Sequence, residues 1–304
     1  MSNFKCERIY NSIIEKKDRI IVIGDLHADY SKTIDLFLKL NLIRKINNKF
    51  VWSAIPQNTV VVQLGDQIDG GGRGTGESYG ELEIINFMEN LHTQAFKKGG
   101  GVYSLIGNHE VMNLLGDFRY ASNKDIENQG GEELRRELFK PGGELFNRLS
   151  CTRNAILQIG NFLFTHAGVV PKNLENVDDP KKFIKYINYL MRQFLQGKKD
   201  MNDEEIKKYF LEKDSSIIWN RHYGYETPDC SEVEKVTKTL SVGTMIVGHT
   251  VQNKINSKCD NKLWRVDVGI SSIFDSKEKY SVLEILDNGE KLPRNKFKPF
   301  RILK

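Results

Sequence analysis

Residues 20–29 read Ile20-Ile21-Val22-Ile23-Gly24-Asp25-Leu26-His27-Ala28-Asp29, and the predicted architecture follows from this segment. Its first four residues form a β-branched, fully apolar run of the kind that buried strands use. Asp25 and His27 follow where the strand gives way to a loop, and residues two apart leave extended backbone on the same side. This is a metal-ligand spacing, but a turn aspartate beside a surface histidine has the same pattern. The pair therefore predicts a metal site only if the chain supplies further ligands of this kind.

Four later apolar runs end in the same way, each followed by a turn and then by a side chain that can bind a metal ion. Together with the first stretch they supply Asp25 and His27, Asp66 and Asp69, Asn108 and His109, His166, and His249. Loops at one edge of an open α/β sheet form a common crevice, so we expect these side chains to meet there. Carboxylate, carboxamide and imidazole ligands without cysteine suit Mn²⁺, Fe or Zn²⁺. A bridging carboxylate would accommodate two such ions.

The remaining pattern indicates an α/β protein in one domain, residues 1–304, with a core of about 18–286. Segments 111–150 and 172–240 are expected to be mainly helical decorations. Residues 11–14 read as a short helix, and 262–268 with 280–286 as part of a terminal hairpin or meander. The basic tail, 290–304, is expected to be a surface strand or a loose end.

Composition places the 304-residue chain among soluble globular proteins, since 39% of residues are hydrophobic and 10% aromatic. The excess of 45 Lys and Arg over 40 Asp and Glu is small and dispersed, which argues against a nucleic-acid partner. Four scattered cysteines without a C-x-x-C pair are expected to be free thiols in a reducing compartment. The N-terminus has no apolar signal region, and no run approaches the ~20 apolar residues of a membrane span. We therefore expect a cytoplasmic protein without a membrane partner; oligomeric state is left open.

Five motifs carry a family resemblance: GDLHAD at 24–29, GDQID at 65–69, GNHE at 107–110, His-Ala-Gly at 166–168 and Gly-His-Thr at 248–250. In this order they resemble the motif series of the calcineurin-like metallophosphoesterases, and more narrowly of the phosphoprotein phosphatases. The run GNHEVMNLLGDFRY at 107–120 is similar to a signature of the Shewanella-like phosphatases. The resemblance covers roughly residues 20–270 and implies a sandwich of two mixed β-sheets flanked by α-helices. Five ordered motifs are far more specific than any single one.

The resemblance also implies roles for the candidate residues. Asp25, His27 and a bridging Asp66 would hold the first of two divalent ions, with Mn²⁺ the expected metal and Fe or Zn²⁺ the alternatives. The second ion would be held by Asp66, Asn108, His166 and His249. A hydroxide between the ions would attack phosphorus in line, because two cations lower the pKa of bound water. His109 would protonate the leaving oxygen, and Asp69 would fix its tautomer.

One departure from the family pattern concerns the phosphate. Gly70 stands where the family motif has an arginine, whose planar fork grips a phosphate. Arg73, three residues later, is either its replacement or a solvated loop charge. Arg221 resembles a second phosphate-binding arginine, whereas Arg119 either lines or braces the substrate entrance, with Asp117 holding it in place.

The predicted function is hydrolysis of phosphomonoesters, with phosphorylated protein as substrate. Phosphotyrosine and phosphoserine or phosphothreonine stay open. One alternative is a phosphohydrolase of diadenosine polyphosphates or other nucleotides. Another is a metal-binding pseudophosphatase that recognises phosphorylated partners without turnover, motivated by Gly70 and opposed by the complete ligand set.

Overall fold

The computed structural model describes residues 4–71, 80–278, 280–286 and 300–304. Its strands are β1 (Ile13–Ile14), β2 (Arg19–Ile23), β3 (Ile43–Ile46), β4 (Lys49–Trp52), β5 (Val60–Gln63), β6 (Gly101–Leu105), β7 (Arg153–Asn154), β8 (Ile156–Ile159), β9 (Phe162–Thr165), β10 (Thr244–Val247), β11 (Asn256–Lys258), β12 (Leu263–Arg265), β13 (Val282–Leu286) and β14 (Phe300–Leu303). Its α-helices are α1 (Tyr30–Lys39), α2 (Glu81–Phe96), α3 (Asn108–Leu114), α4 (Asn123–Asn128), α5 (Glu132–Phe139), α6 (Glu144–Thr152), α7 (Pro180–Leu195), α8 (Glu204–Ile206) and α9 (Cys230–Thr239). A 3₁₀-helix at Pro171–Leu174 and a π-helical turn at Lys207–Leu211 complete the elements.

Two six-stranded sheets form the centre of the structure. The first has the strand order β14-β13-β2-β5-β6-β7, and the second β1-β8-β9-β10-β12-β11. Each contains parallel and antiparallel pairs, such as β2 with β5 and β2 with β13 in the first sheet. The predicted pair of mixed sheets flanked by helices is thereby confirmed.

The core lies between the two sheets. Strands β2 and β5 read Arg-Ile-Ile-Val-Ile and Val-Val-Val-Gln and are buried along nearly their whole length, as strands covered on both faces are. One apolar cluster joins Ile21 and Val61 of the first sheet to Phe164 and Ile246 of the second. A second cluster packs the other face of the second sheet against helices that include α6 and α7. Burial of this apolar surface holds the sheets in fixed relation.

Parallel pairing brings the candidate ligands to one edge. Strands β2, β5 and β6 run parallel, as do β9, β10 and β12. The carboxyl ends of strands in each group therefore point the same way, and the ligand-bearing loops leave from those ends. The first loop is also pinned at its far end, because the Asp29 side chain accepts the backbone N–H of Lys32 at 3.0 Å and caps α1.

Three local expectations need correction or qualification. Residues 13–14 form strand β1, which pairs with β8, rather than a helix. Segments 262–268 and 280–286 do not pair with each other, because β12 belongs to the second sheet and β13 to the first. The antiparallel partner of β13 at the chain end is β14, so the described end of the basic tail, 300–304, contains a strand. Residues 290–299 lie outside the described residues.

The expectation of free thiols is wrong. Cys6 is disulfide-bonded to Cys151, and Cys230 to Cys259. The expectation of a reducing compartment rested on free thiols. Disulfides persist mainly in oxidising compartments, so the cysteines no longer support that expectation. Within the described part of the chain, none of the helices combines the length and the apolar character that crossing a membrane requires.

Candidate metal centre

The loops at the sheet edge turn sharply. Five non-glycine residues there have left-handed backbone: His27 (φ 42°), Ala28 (φ 58°), Asp66 (φ 51°), Asp69 (φ 69°) and His249 (φ 64°). This conformation is uncommon for side chains other than Asn, Asp and His, and such residues cluster at functional sites. The turns bring side chains from separate strands back toward a common point.

The motif glycines allow the loops to approach each other. A Cβ atom on Gly107 would lie 2.2 Å from Oδ1 of Asp66, and one on Gly248 would lie 2.6 Å from Oδ1 of Asp25. Both distances are far below a van der Waals contact. Glycine at these two positions therefore lets one loop pack directly against the carboxylate of another.

His166 and His249 each turn one ring nitrogen toward the same point. The Nδ1–H of His166 donates to the Leu64 carbonyl at 2.8 Å, and the Nε2–H of His249 donates to the Trp219 carbonyl at 3.2 Å. The remaining nitrogens, Nε2 of His166 and Nδ1 of His249, lie only 3.1 Å apart. A hydrogen bond to the outer ring nitrogen is how proteins orient a metal-binding histidine.

Two oxygens complete this group. Oδ1 of Asn108 lies 3.0 Å from Nε2 of His166, and Oδ2 of Asp66 lies 3.3 Å from the same nitrogen. Burial, with His166 and Arg221 nearby, lowers the pKa of His249 to about 2, so its ring is neutral. Burial alone would raise the pKa of Asp66, but His166 and His109 hold it well below its usual range. Converging carboxylate, amide and imidazole atoms are the donor set of a divalent cation.

Asp66 also belongs to a second group. Potential ligand atoms of His27, Asp66 and His109 lie within 4.8 Å of one another, as do those of Asp66, His166 and His249. Asp25 is in neither group. Its carboxylate accepts the backbone N–H of His249 at 3.1 Å and lies 3.9 Å from Nδ1 of His166.

His109 and Asp69 are in direct contact. Nδ1 of His109 lies 2.6 Å from Oδ2 of Asp69, and the backbone N–H of His109 donates to Oδ1 of Asp66 at 2.9 Å. Burial is the main cause that raises the pKa of Asp69, against the lowering effect of the His109 contact. His109 and Asn108 are chain neighbours, yet Asn108 faces His166 while His109 faces Asp69.

Two acidic residues of the site were missed at the sequence level. Asp267 follows β12, is buried, and lines the cavity; burial raises its pKa to about 6. Burial, Asp267 and Asp66 together raise the pKa of Asp25 well above its usual range. Glu110 accepts the backbone N–H groups of Asp66 and Gly107 at 3.0 and 2.7 Å, tying two loops together. Asp267 repeats the pattern of an acidic residue after an apolar strand, and Glu110 stands inside the GNHE motif. Both residues could therefore have been identified as site residues from the sequence.

This crowding of buried carboxylates favours a bound cation. Like charges within a desolvated site repel, and a divalent ion relieves the repulsion while using the free lone pairs. The residues therefore fit the metal ions that the motif pattern implies.

The cavity over these residues has a volume of about 440 Å³. The Tyr120 ring lies 5.2 Å from that of His109, and the Phe274 ring lies 5.3 Å from that of His27, so an aromatic side chain stands beside each histidine. Both aromatic residues line the cavity. Aromatic side chains therefore form part of the cavity wall beside the candidate ligands.

The three arginines predicted to contact phosphate or substrate differ in position. Arg221 lines the cavity, and its guanidinium donates to Oγ1 of Thr250 at 3.1 Å. Arg119 is exposed and pairs with Asp117 at 2.8 Å; it is not among the described residues that line the cavity. Arg73 lies outside the described residues.

Comparison with known proteins agrees with this site. The family model for calcineurin-like phosphoesterase matches residues 18–253. The chain is 37% identical over 236 residues to an uncharacterised protein, R398, of Acanthamoeba polyphaga mimivirus, covering 66% of this chain and 93% of that protein. It is 28% identical over 310 residues to Shewanella-like protein phosphatase 2 of Arabidopsis thaliana, covering 86% of this chain and 74% of the relative. Shewanella-like protein phosphatase 1 of Plasmodium berghei is 29% identical over 293 residues, and the match covers 92% of this chain and 75% of that relative.

Solved structures show the same fold. The cold-active protein-tyrosine phosphatase of a psychrophilic Shewanella species superposes with a TM-score of 0.74 at 24% sequence identity, covering 92% of this chain and 79% of the other. The residues that match the family model include every strand end of the site up to His249. The chain is a metal-binding phosphatase enzyme and belongs to the family of calcineurin-like phosphoesterases.

Proposed function

We propose that the chain hydrolyses phosphomonoesters on protein substrates and works with two divalent ions, Mn²⁺ being the expected metal. The observation that carries the proposal is the shared position of Asp66, whose carboxylate belongs to both groups of potential ligands. When bound, two such ions lower the pKa of water and neutralise phosphoryl oxygens. The phosphoprotein substrate is suggested by the names of the Arabidopsis and Plasmodium relatives, both protein phosphatases.

The first ion is proposed to be held by Asp25, His27 and Asp66. The second takes Asp66, Asn108, His166 and His249. The convergence of acceptor atoms around Nε2 of His166 supports the second assignment, with Asn108 at 3.0 Å and Asp66 at 3.3 Å. Asp267 and Asp25 interact, since each carboxylate contributes to the pKa shift of the other, and we propose Asp267 as a further ligand or as the residue that orients Asp25.

His109 is proposed as the general acid for the leaving oxygen. Oδ2 of Asp69 accepts the Nδ1–H, so the proton to be transferred is on Nε2. The ring lines the cavity, which supports access to substrate. Arg221 is proposed to bind the phosphate, because its guanidinium lies at the edge of the same cavity and matches a phosphate in shape and charge.

The test uses purified protein loaded with Mn²⁺ and phenyl phosphate as substrate, because phenol is a weak acid and its oxygen needs a proton as it leaves. Wild type is expected to turn over, and His109→Asn to lose about 100-fold or more of kcat, since general acids typically contribute that much. Metal content by mass spectrometry should stay at two ions per chain in His109→Asn. If the variant instead loses one ion, His109 is a ligand and the acid assignment is wrong. No turnover by wild type with two bound ions would favour the pseudophosphatase.

The substrate class requires a separate panel. Peptides carrying phosphotyrosine, phosphoserine or phosphothreonine are compared with a dinucleotide polyphosphate at equal concentrations. Faster hydrolysis of any phosphopeptide supports the proposal. A higher kcat/KM for the dinucleotide than for every phosphopeptide would contradict the proposal and indicate a nucleotide phosphohydrolase.

A further inference from the structure

Arg135 is a fully buried charged residue outside the ligand set. It lies on α5, in the helical segment above the sheet edge, and its side chain has 0% exposure, whereas the next residue, Arg136, is exposed. A buried guanidinium is costly unless each N–H is paired. The partners of Arg135 therefore indicate what holds it there.

Two of these partners, Glu81 and Asn113, also contact Asp69. The guanidinium forms a fork with Glu81, with NH1 to Oε2 at 2.7 Å and NH2 to Oε1 at 3.1 Å. NH2 also donates to Oδ1 of Asn113 at 2.6 Å and approaches Oδ1 of Asp69 at 3.4 Å. NH1 donates to Oε1 of Gln129 at 2.8 Å. Two phenylalanine rings enclose the charge, with that of Phe139 4.4 Å away.

Glu81 and Asn113 transmit this arrangement to Asp69. Oε1 of Glu81 accepts the backbone N–H of Asp69 at 2.9 Å, at the point where Asp69 has left-handed backbone. The Nδ2 group of Asn113 donates to Oδ1 of Asp69 and to the His109 carbonyl, both at 2.9 Å. Because a guanidinium only donates, Arg135 fixes the Asn113 amide with its oxygen toward the arginine and its nitrogen toward Asp69.

We propose that Arg135 is a positioning residue for proton transfer: through Glu81 and Asn113 it holds the Asp69 carboxylate against Nδ1 of His109. One carboxylate oxygen is engaged by Asn113 and Arg135, which leaves Oδ2 directed at the imidazole 2.6 Å away. The inference rests on the general-acid role proposed above for His109. It assigns a catalytic consequence to the helical segment 123–139, which supplies none of the residues proposed to touch substrate.

The test measures how activity depends on the leaving group. Phenol is a weaker acid than 4-nitrophenol, so phenyl phosphate needs protonation of its leaving oxygen far more than 4-nitrophenyl phosphate does. Arg135→Met is expected to lower kcat about tenfold to 100-fold for phenyl phosphate and about threefold or less for 4-nitrophenyl phosphate, because only the proton-transfer contribution is impaired. KM should change little for either substrate.

Arg153→Met is the matched control. Arg153 is likewise a buried arginine, with a side chain 2% exposed, and it contacts Gln67 and Glu89 rather than the Asp69–His109 pair. Its loss is expected to lower the unfolding temperature while affecting the two substrates equally. If Arg135→Met also affects the two substrates equally, Arg135 is merely structural and the inference is overturned.

A double variant separates this inference from the proposed function. In His109→Asn the general acid is absent, so adding Arg135→Met should cost no further activity toward phenyl phosphate. Additive losses would contradict action through His109. If His109→Asn loses no more kcat toward phenyl phosphate than toward 4-nitrophenyl phosphate, His109 is not the general acid. The proposed acid role then fails, and the inference about Arg135 fails with it.

Folding is controlled with a charge-balanced variant. Arg135→Met alone leaves Glu81 buried without its cation, which is destabilising. Glu81→Gln with Arg135→Met removes both charges and retains an amide oxygen that can accept the Asp69 N–H. This variant should fold, and it should still lose more kcat toward phenyl phosphate than toward 4-nitrophenyl phosphate. A folded double variant with the wild-type substrate ratio would overturn the inference.

Discussion

The carboxylate of Asp66 lies 3.3 Å from Nε2 of His166 through Oδ2 and accepts the backbone N–H of His109 through Oδ1. One side chain thus faces the ligand cluster and also holds the loop that carries the proposed acid. Asp66→Asn is expected to abolish detectable turnover and to reduce bound metal from two ions to one or none, because a bridging carboxylate cannot be replaced by a neutral amide. Metal analysis and turnover of 4-nitrophenyl phosphate check this.

The control for the Asp66 variant is Asp35→Asn on the exposed face of α1, which should retain both ions and full activity. Retention of two ions by Asp66→Asn would show that the carboxylate does not bridge.

Arg221 should contribute to phosphate binding. Arg221→Ala is expected to raise KM for 4-nitrophenyl phosphate about tenfold or more, since a hydrogen bond to a charged group contributes about 1.5–3 kcal/mol. Arg221→Lys should recover only part of this loss, because an ammonium cannot form the planar fork. Arg119→Ala is the matched control: its side chain is 68% exposed and paired with Asp117, and KM should change less than twofold, the usual range for surface charges. An equal rise of KM in Arg221→Ala and Arg119→Ala would contradict the assignment of phosphate binding to Arg221 rather than Arg119.

His92 should make folding stability depend on pH. Its ring is buried, stacks on Tyr10 with a centroid distance of 3.7 Å and contacts the Val102 carbonyl through Nδ1. Burial, despite that carbonyl contact, lowers its pKa from 6.5 to about 4. The unfolded chain therefore binds the proton more tightly, and this contribution to stability, complete above pH 6.5, declines as the pH falls toward 4.

The magnitude at pH 4 is roughly 2–3 kcal/mol, from about 1.4 kcal/mol per pKa unit. Urea unfolding between pH 7 and pH 4 should show a shallower pH dependence in His92→Gln than in wild type. The difference between the two proteins isolates His92 from other titrating groups. Identical slopes would show that His92 titrates normally.

The disulfide between Cys6 and Cys151 should stabilise the fold by constraining the unfolded chain. It joins residues 145 apart in sequence. Cys6→Ser with Cys151→Ser is expected to lower the free energy of unfolding by about 2–5 kcal/mol, the usual effect of losing such a bond. Thiol titration of the denatured wild-type protein should detect no free thiol among its four cysteines, whereas four reactive thiols would show that neither disulfide forms.

The chemistry at the strand ends can be read from the order of residues. Apolar run, turn and ligand are contiguous in the chain, so the order of residues is enough to identify Asp25, Asp66, Asn108, His166 and His249 as candidate ligands. Parallel strands then carry them to one edge because the pairing of β2 with β5 and of β9 with β10 sets a common direction. Asp267 obeys the same local pattern and could have been found.

The pairings between distant segments depend on long-range packing and have no signal in the order of residues. The link between Arg135 and Asp69 spans 66 residues, and the disulfide between Cys6 and Cys151 spans 145. Neither has a local pattern, because a buried ion pair and a disulfide depend on which helices pack over which sheet edge. The same holds for β12 and β13, whose similar apolar character does not reveal that they enter different sheets. Local periodicity encodes which face of a strand is buried, whereas long-range packing selects the neighbour against which it is buried.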